Sequence, residues 1–357
     1  YAINGSVLIK YKKDYYCILY PRIVSNPNAF DRFSGISRPI SRFGLRSGEV
    51  DLSGLGFEND WFLIQFGRGR QSWGAGNSIQ LALGERSSSY DYGMLGFNIG
   101  NIRSRYFHGY LETIDNSNRY IVGKGLEFTN KNNFLFSISE IVIYSGKNRP
   151  LDIAYFNPMT SHLEIEMNDR QNQLGTDSGN AVWQLSSDIL LHNRFRLSGN
   201  LVIDEFVIDK IQRDAGHNHF IGWSFKSVYT LKNKSKIIPG TISIYVSWVN
   251  IGTNTFRHEK VSDEISGKTT GYNNFVHRNR PLGWQLGSDC EELNFGINHF
   301  NKSLISNLKF GFYRVGSRSI IYDSYKPYDN YNNDKFPSGV VNNTSYINYT
   351  MEWWWRK

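Results

Sequence analysis

Taken at every second residue, stretch after stretch of this chain separates into an apolar and a polar side, the signature of half-buried β-strands. In TISIYVSWV (241–249), Ile242, Ile244, Val246 and Trp248 share one side, and Thr241, Ser243, Tyr245 and Ser247 share the other. In ELNFGINHF, Leu293, Phe295 and Ile297 oppose Asn294, Gly296 and Asn298. In LISNLKFGFYRV, Leu308, Phe310 and Phe312 oppose Asn307, Lys309, Gly311 and Tyr313. FRLSGNLVID sets Phe195, Leu197, Leu201 and Ile203 against Arg196, Ser198, Asn200 and Asp204, and WSFKSVYTL (223–231) repeats the theme. Similar segments cover about 5–24, 48–70, 91–112, 119–128, 134–144 and 180–190. The best helical candidate, SHLEIEMNDRQNQL (161–174), itself alternates.

Alternation alone fits a soluble sandwich or a membrane barrel. In a sandwich the outward face carries paired Lys and Glu. In an outer-membrane barrel apolar side chains face lipid between aromatic girdles, while a polar lumen holds the charges. Here large aromatics cluster near segment ends, and the polar side is dense in Gly, Asn and Arg and poor in Glu–Lys pairing, which favours the barrel. At about 10 residues per crossing strand plus turns, a chain of 357 residues suits roughly 14–18 strands. The expected fold is therefore all-β, a transmembrane antiparallel up-and-down β-barrel with long extracellular loops.

The connections agree. Gly100-Asn101, between FNIG and IRSRYF, reads as a two-residue hairpin. Long polar loops are expected at 146–164, 257–274 and 324–345. Short turns at one end and long loops at the other match the periplasmic and extracellular ends of such barrels. The aromatic terminal segment SYINYTMEWWWRK could pair with the first strand to close the cylinder. No internal repeat or linker divides the chain, so residues 1–357 are expected to form a single domain. A chain that opens on Tyr1 almost directly before GSVLIKYK reads as a processed or trimmed product.

Composition sharpens this reading. The chain holds 22 Tyr, 23 Phe and 9 Trp among many Gly, Asn and Ser, as strands joined by turns require. Lys and Arg outnumber Asp and Glu by 40 to 32, a net charge of +8, so an anionic partner is plausible. Cys17 and Cys290 are far apart and lack metal-type spacing. No apolar run of about 18 residues occurs, which excludes a transmembrane helix.

Candidate chemistry centres on FGRGRQSWGAGN (66–77). It is no P-loop, because no G-K-[ST] follows and no helix begins there. What remains is a strand whose glycines admit a close neighbour, with Arg68 and Arg70 alternating onto one face and Trp73 at the bend. Arginine forks beside an indole could hold an acidic sugar; alternatively both arginines pair with lumen carboxylates such as Glu127 or Glu140. Arg103 and Arg105 would extend the same electropositive lining, and Arg149 would add charge. His162, Glu164 and Glu166, or His217 and His219, lack the further ligands that a metal site needs. No catalytic, cofactor-binding or nucleic-acid-binding motif is present.

Several of these stretches, taken in order, resemble the Wzi-type capsule assembly proteins: GRGRQSWGAGNSIQLALGE, RYFHGYLE, RYIVGKGLEF, SISEIVIYSGKNRPLDIAYFNP, LSGNLVIDEF and VHRNRPLGWQLGSD. The resemblance spans about residues 45–315. It implies a bacterial outer-membrane barrel of about 18 strands that holds or organises capsular polysaccharide at the cell surface and lacks enzymatic activity. The family's helical element near the N-terminus has no clear equivalent here, and no family motif fixes the binding residues.

Sequence and resemblance together lead to one main expectation. The chain is a non-catalytic outer-membrane barrel without cofactor or metal, binding capsular or other surface polysaccharide, an anionic one by charge. Arg68, Arg70, Trp73, Arg103, Arg105 and Arg149 are the candidate glycan contacts. Lipid is the other partner, and proteins of an envelope complex are a further one. The rival readings are an anion-selective channel or transporter, a structural subunit of an envelope complex and, last, a secreted polysaccharide-cleaving enzyme.

Overall fold

The computed structural model describes residues 1–30, 32–172, 179–206, 210–214, 220–233, 240–259, 271–328 and 335–354. Its strands are β1 (Ala2–Asn4), β2 (Val7–Tyr11), β3 (Tyr15–Val24), β4 (Ser47–Glu58), β5 (Phe62–Gly69), β6 (Tyr90–Ile99), β7 (Ile102–Ile114), β8 (Ser117–Thr129) and β9 (Phe134–Lys147). They continue as β10 (Gly179–Leu191), β11 (Phe195–Ile203), β12 (Ile221–Asn233), β13 (Gly240–Ile251), β14 (Val276–His277), β15 (Arg280–Pro281), β16 (Cys290–Phe300), β17 (Leu304–Val315) and β18 (Asn342–Trp353). Two short helices interrupt them, α1 (His162–Met167) and α2 (Lys210–Asp214).

All strands but the β14–β15 hairpin join one 16-stranded sheet in which sequence neighbours pair antiparallel. β1 and β2 both pair with β3, as two halves of one edge strand interrupted at Gly5 and Ser6. The described ladder runs from that edge to β18, and a bond between the two edges is not among its pairings.

The expected faces are the observed ones. Trp248, Ile244, Phe295, Ile297, Phe310 and Phe312 are all exposed, whereas Ser243, Ser247 and Asn294 are buried. The inward side is equally clear. Leu63, Met94, Phe107, Ile121, Ile141, Val182, Val202, Val249, Cys290 and Val315 come from β5 through β17 yet belong to a single cluster. Strands so far apart in the sheet share one cluster only if the sheet curls around its contents. The fold is thus an up-and-down β-barrel with its apolar belt outside.

Both ends carry the expected turns. At the short end, Gly100-Asn101 joins Ile99 to Ile102, which are directly paired. Three other short turns share one device, an Asn side chain that accepts from backbone ahead of it. Asn59 Oδ1 accepts from the Trp61 and Phe62 N–H, Asn130 Oδ1 from those of Asn132, Asn133 and Phe134, and Asn301 Oδ1 from those of Ser303 and Leu304. Aromatics gather beside these turns, with Trp61 5.5 Å and Phe97 5.4 Å from Phe62, and Phe128 6.3 Å from Phe134. They form the aromatic girdle of the periplasmic interface. One connection at the long-loop end is itself tight: Asp115 (φ 49°) and Asn116 (φ 65°) make a two-residue turn between β7 and β8.

The two cysteines are unbonded, with Cys290 buried and Cys17 partly so. The segment around 161–174 departs from alternation: residues 162–167 form α1, capped by Ser161, whose Oγ accepts from the Glu164 N–H. No described helix is long and apolar enough to cross a membrane; the strands do so.

Two long loops turn back into the barrel and fill it. Residues 70–89 enter from the end of β5, and residues 271–289 enter from the connection ahead of β16. They meet backbone to backbone: Gly84 N–H donates to Leu282 O at 2.7 Å, and Trp284 N–H donates to Leu81 O at 3.0 Å. Leu81, Leu83, Phe256, Phe275, Leu282 and Trp284 pack between them and the wall as an apolar plug. Its outer pin is Arg119 on β8, fully buried. Arg119 donates to the carbonyl oxygens of Tyr272 and Asn274 and to Glu112 Oε1, and lies over the Tyr325 ring.

Candidate functional site

The sequence GRGRQSWGAGN leaves β5 and becomes the tip of this plug. Its glycines serve the close approach expected of them. A Cβ on Gly67 would lie 2.1 Å from Ser53 O on β4, and Gly74 (φ +137°) and Gly76 (φ +94°) take backbone that side chains resist. The wall holds the tip through inward amides. Asn200 Oδ1 accepts from Ala75 N–H at 2.7 Å, and Asn200 Nδ2 donates to Ala75 O at 2.9 Å. Gln184 Nε2 donates to Trp73 O, while its Oε1 accepts from Ala82 N–H. The Gln and Asn of an otherwise small polar face are there because the plug needs reciprocal donors and acceptors where it buries the wall.

Between this tip and the wall of β7–β11 lies a cavity of about 310 Å³, lined by Trp73–Asn77, Arg103, Arg105, Gly125, Glu127, Gln184, Asp188 and Arg196. Its wall residues come from the strand ends nearest the short turns, so it opens toward the periplasmic end of the lumen. Trp73 is held edge-to-face against Phe107 at 5.4 Å, and the ring edge approaches the space that a Gly125 side chain would fill. Arg103 pairs with Glu127 at 3.1 Å and Arg196 with Asp188 at 2.7 Å. Arg105 has no hydrogen-bond or ion-pair partner among the described residues, so its fork is open to an anion in the cavity.

The structure therefore joins Trp73, Arg103 and Arg105, as expected, and leaves the other three candidates elsewhere. Arg68 and Arg70 do not share a lining. Arg68 stands on the same face of β5 as exposed Phe66 and donates to Asp91 at 2.9 Å and to Val50 O. Arg70 lies past the strand end, where it binds Asp51, Ser89 Oγ and Ser87 O. Neither meets Glu127 or Glu140: Glu127 serves Arg103, and Glu140 lies on the outer wall with Lys124. Period-2 reading misplaced Arg70 because β5 ends at Gly69. Arg149 is buried, paired with Asp152 at 2.8 Å and set over the Tyr144 ring. Sequence reasoning missed Arg196 and Asp188; the inward parity of FRLSGN carried the only signal for Arg196.

His162 lies on a helix, buried against Tyr155, and not on a strand face with Glu164 and Glu166. Among the described residues no group of three or more potential ligands could hold a metal. His217 and His219 lie outside the described residues.

These pairings separate two arginines that look alike in sequence. Arg70→Ala is expected to lower stability by about 3 kcal/mol, since it strips a part-buried carboxylate of its forked partner. Arg68→Ala should cost less than about 1 kcal/mol, because Asp91 is well exposed. Urea titration of heat-modifiable gel mobility measures both; equal losses would contradict the assignment.

Apolar outer belt, aromatic girdle, short periplasmic turns and an inward-folded plug define an outer-membrane β-barrel of the bacterial envelope. Among solved structures the chain is similar to Wzi of Escherichia coli, an outer-membrane protein involved in group 1 capsule assembly and a carbohydrate-binding β-barrel. The TM-score is 0.65 at 12% identity, over 98% of this chain and 74% of that one. Loop-L8-deleted OmpT, an outer membrane protein of Vibrio cholerae, follows at TM-score 0.45 and 8% identity, covering 99% and 90%. The outer membrane protein OprD of Pseudomonas aeruginosa aligns at TM-score 0.40 and 12% identity, covering 98% and 79%. No described family and no curated protein matches the sequence itself.

Proposed function

We propose that this barrel is a non-catalytic, Wzi-type protein that binds an acidic surface polysaccharide and helps to organise it at the outer membrane. The observation that carries the reading is the plug. A conducting pore needs a continuous water path, and here the backbone of Leu81–Gly84 hydrogen-bonds that of Leu282–Trp284 across the lumen. The likeness to Wzi along 98% of the chain supports the same reading as an analogy of fold. The ordered motifs of the sequence agree with it, because the SIQLALGE end of GRGRQSWGAGNSIQLALGE interlocks with RPLGWQLG.

Arg105 supplies the unpaired charge of the cavity, Arg103 and Arg196 add paired guanidiniums at its rim, and Trp73 adds an aromatic wall. A carboxylated sugar would accept from the Arg105 fork and pack its ring against the indole edge. Since the cavity faces the short-turn end, the glycan segment that reaches it does so from the periplasmic side of the plug.

Arg105→Gln is expected to weaken binding of an acidic oligosaccharide to the detergent-solubilised barrel by about 10- to 100-fold, the worth of one charge-assisted hydrogen bond. Folding should stay intact, because the Arg105 side chain makes no hydrogen bond or ion pair among the described residues. Calorimetric titration of wild type and variant decides it, and equal affinities would remove the cavity from the proposal. The rival reading, an anion-selective channel, predicts steady current through wild-type protein in a planar bilayer, where a plugged binder stays silent.

A further inference from the structure

On one sector of the barrel the outward face is not apolar. On β7–β9 the outward positions of the lower wall are exposed Phe128, Leu126, Ile138 and Phe136, and the same parity then places Lys124, Glu140, His108, Tyr120 and Tyr144 above them. All five are buried except at their margins, although they point away from the lumen. What covers them is the loop after β9, folded down along the outside of the wall. At its lower end Lys124 donates to Thr160 O, and both oxygens of Glu140 accept from His162 N–H at 3.0 and 3.1 Å. At its upper end Tyr120 Oη donates to Arg149 O at 2.8 Å. Tyr155 of the loop stacks on Tyr144 at 4.7 Å.

The height of this strap follows from the strand. Lys124 lies four residues above Phe128 of the lower girdle, about 10 Å along the barrel axis for a tilted strand, and Tyr120 lies about 10 Å higher still. The apolar band of such barrels is about 25 Å tall. Both anchors therefore fall inside it, Lys124 near its middle and Tyr120 in the half nearer the extracellular end. The outer side of the strap has the composition that this position demands. Ile153, Met159, Leu163 and Met167 are 82%, 80%, 58% and 75% exposed, and the last three recur at every fourth residue. Of the charges beside it, Arg170 pairs with Glu164 at 2.6 Å, and Glu166 lies 3.8 Å from His162.

We propose that residues 151–168 form a membrane-embedded strap, and that Ile153, Met159, Leu163 and Met167 contact the acyl chains of the bilayer. The strap is a second layer of wall. It screens from lipid the polar groups on β7–β9 and continues the apolar surface that Leu126, Phe128 and Ile138 present below it. This inference stands apart from glycan binding, since it concerns the opposite side of the barrel wall.

The test uses the full chain with Cys17→Ser; Cys290 is buried and remains. Met159→Cys and Leu163→Cys are labelled with a small fluorophore and reconstituted into phospholipid vesicles whose acyl chains carry bromine. Phe295→Cys on the bare wall is the lipid-facing reference, and Val340→Cys in the loop before β18 is the aqueous one. Quenching of both strap positions to within a factor of two of the Phe295 position is expected. In intact cells neither should react with a membrane-impermeant maleimide. Quenching at the Val340 level, or rapid maleimide labelling, would place the strap in water and overturn the proposal. Disulfide-linked dimers of Met159→Cys in native membranes would overturn it in favour of a second copy of the chain.

Discussion

Arg119→Met is expected to undock the plug while the barrel wall persists. The guanidinium is fully buried and donates to Tyr272 O, Asn274 O and Glu112. Its loss removes one donor from each of the three and the cationic partner from Glu112, which keeps the Tyr325 hydroxyl and the Arg278 N–H. Removing one member of a buried ion pair costs about 3–5 kcal/mol, mostly because the remaining charge stays desolvated. Methionine keeps much of the volume and none of the donors, which isolates the polar effect. That loss falls on the junction between β7–β8 and the loop that carries Tyr272 and Asn274, and no strand pairing depends on it. Two measurements follow: protease cleavage within residues 271–289 in folded, detergent-solubilised protein, and the appearance of conductance in a planar bilayer. A variant that remains resistant and silent would show that the plug does not need this pin.

Gly283→Ala should have an effect of similar size by a steric route. A Cβ at this position would lie 1.8 Å from Leu81 O and 2.5 Å from Leu81 C, and both are backbone atoms that cannot rotate away. Overpacking of a tight site costs about 1–3 kcal/mol, and more where backbone must move. The hydrogen bonds on either side, Gly84 to Leu282 and Trp284 to Leu81, would have to open for the methyl group to fit. Gly5→Ala is the control, since its added Cβ meets nothing within 4 Å. Comparing urea midpoints of the two variants gives the answer; equal midpoints would mean that the two loops are not locked at this point. Because Arg119 and Gly283 act on one plug, their double variant should lose less than the sum of the single losses.

The wall was legible in the chain because each strand states its own two faces. Ile244 and Trp248, or Phe310 and Phe312, need no distant partner to show which side they favour, since alternation is a local property of extended backbone. The Asn-led short turns and the Gly100-Asn101 hairpin are local for the same reason. The candidate site was legible in part: Trp73, Arg103 and Arg105 do converge, yet Arg68, Arg70 and Arg149 have other duties. An arginine's sequence neighbours do not reveal which carboxylate it will meet. Arg70 finds Asp51 only because a chain reversal brings it there, whereas Arg149 meets Asp152 three residues on, within its own loop.

The strap shows the limit of the same reasoning. On β8 and β9, alternation puts Lys124 and Glu140 on the side of Leu126 and Ile138, a placement that lipid alone would penalise by about 2–4 kcal/mol for the lysine. Only a covering loop makes that arrangement stable.

By itself the sequence determined a β-barrel with a greasy exterior, a polar interior, and short and long ends, because period-2 patterning and turn chemistry act within a few residues. Tertiary structure alone decided that the lumen is plugged, that one arginine of the set stands free in a cavity, and that a loop armours the outer wall. Those outcomes depend on contacts between segments up to two hundred residues apart, such as Leu81 with Gly283, and no local pattern encodes such a meeting.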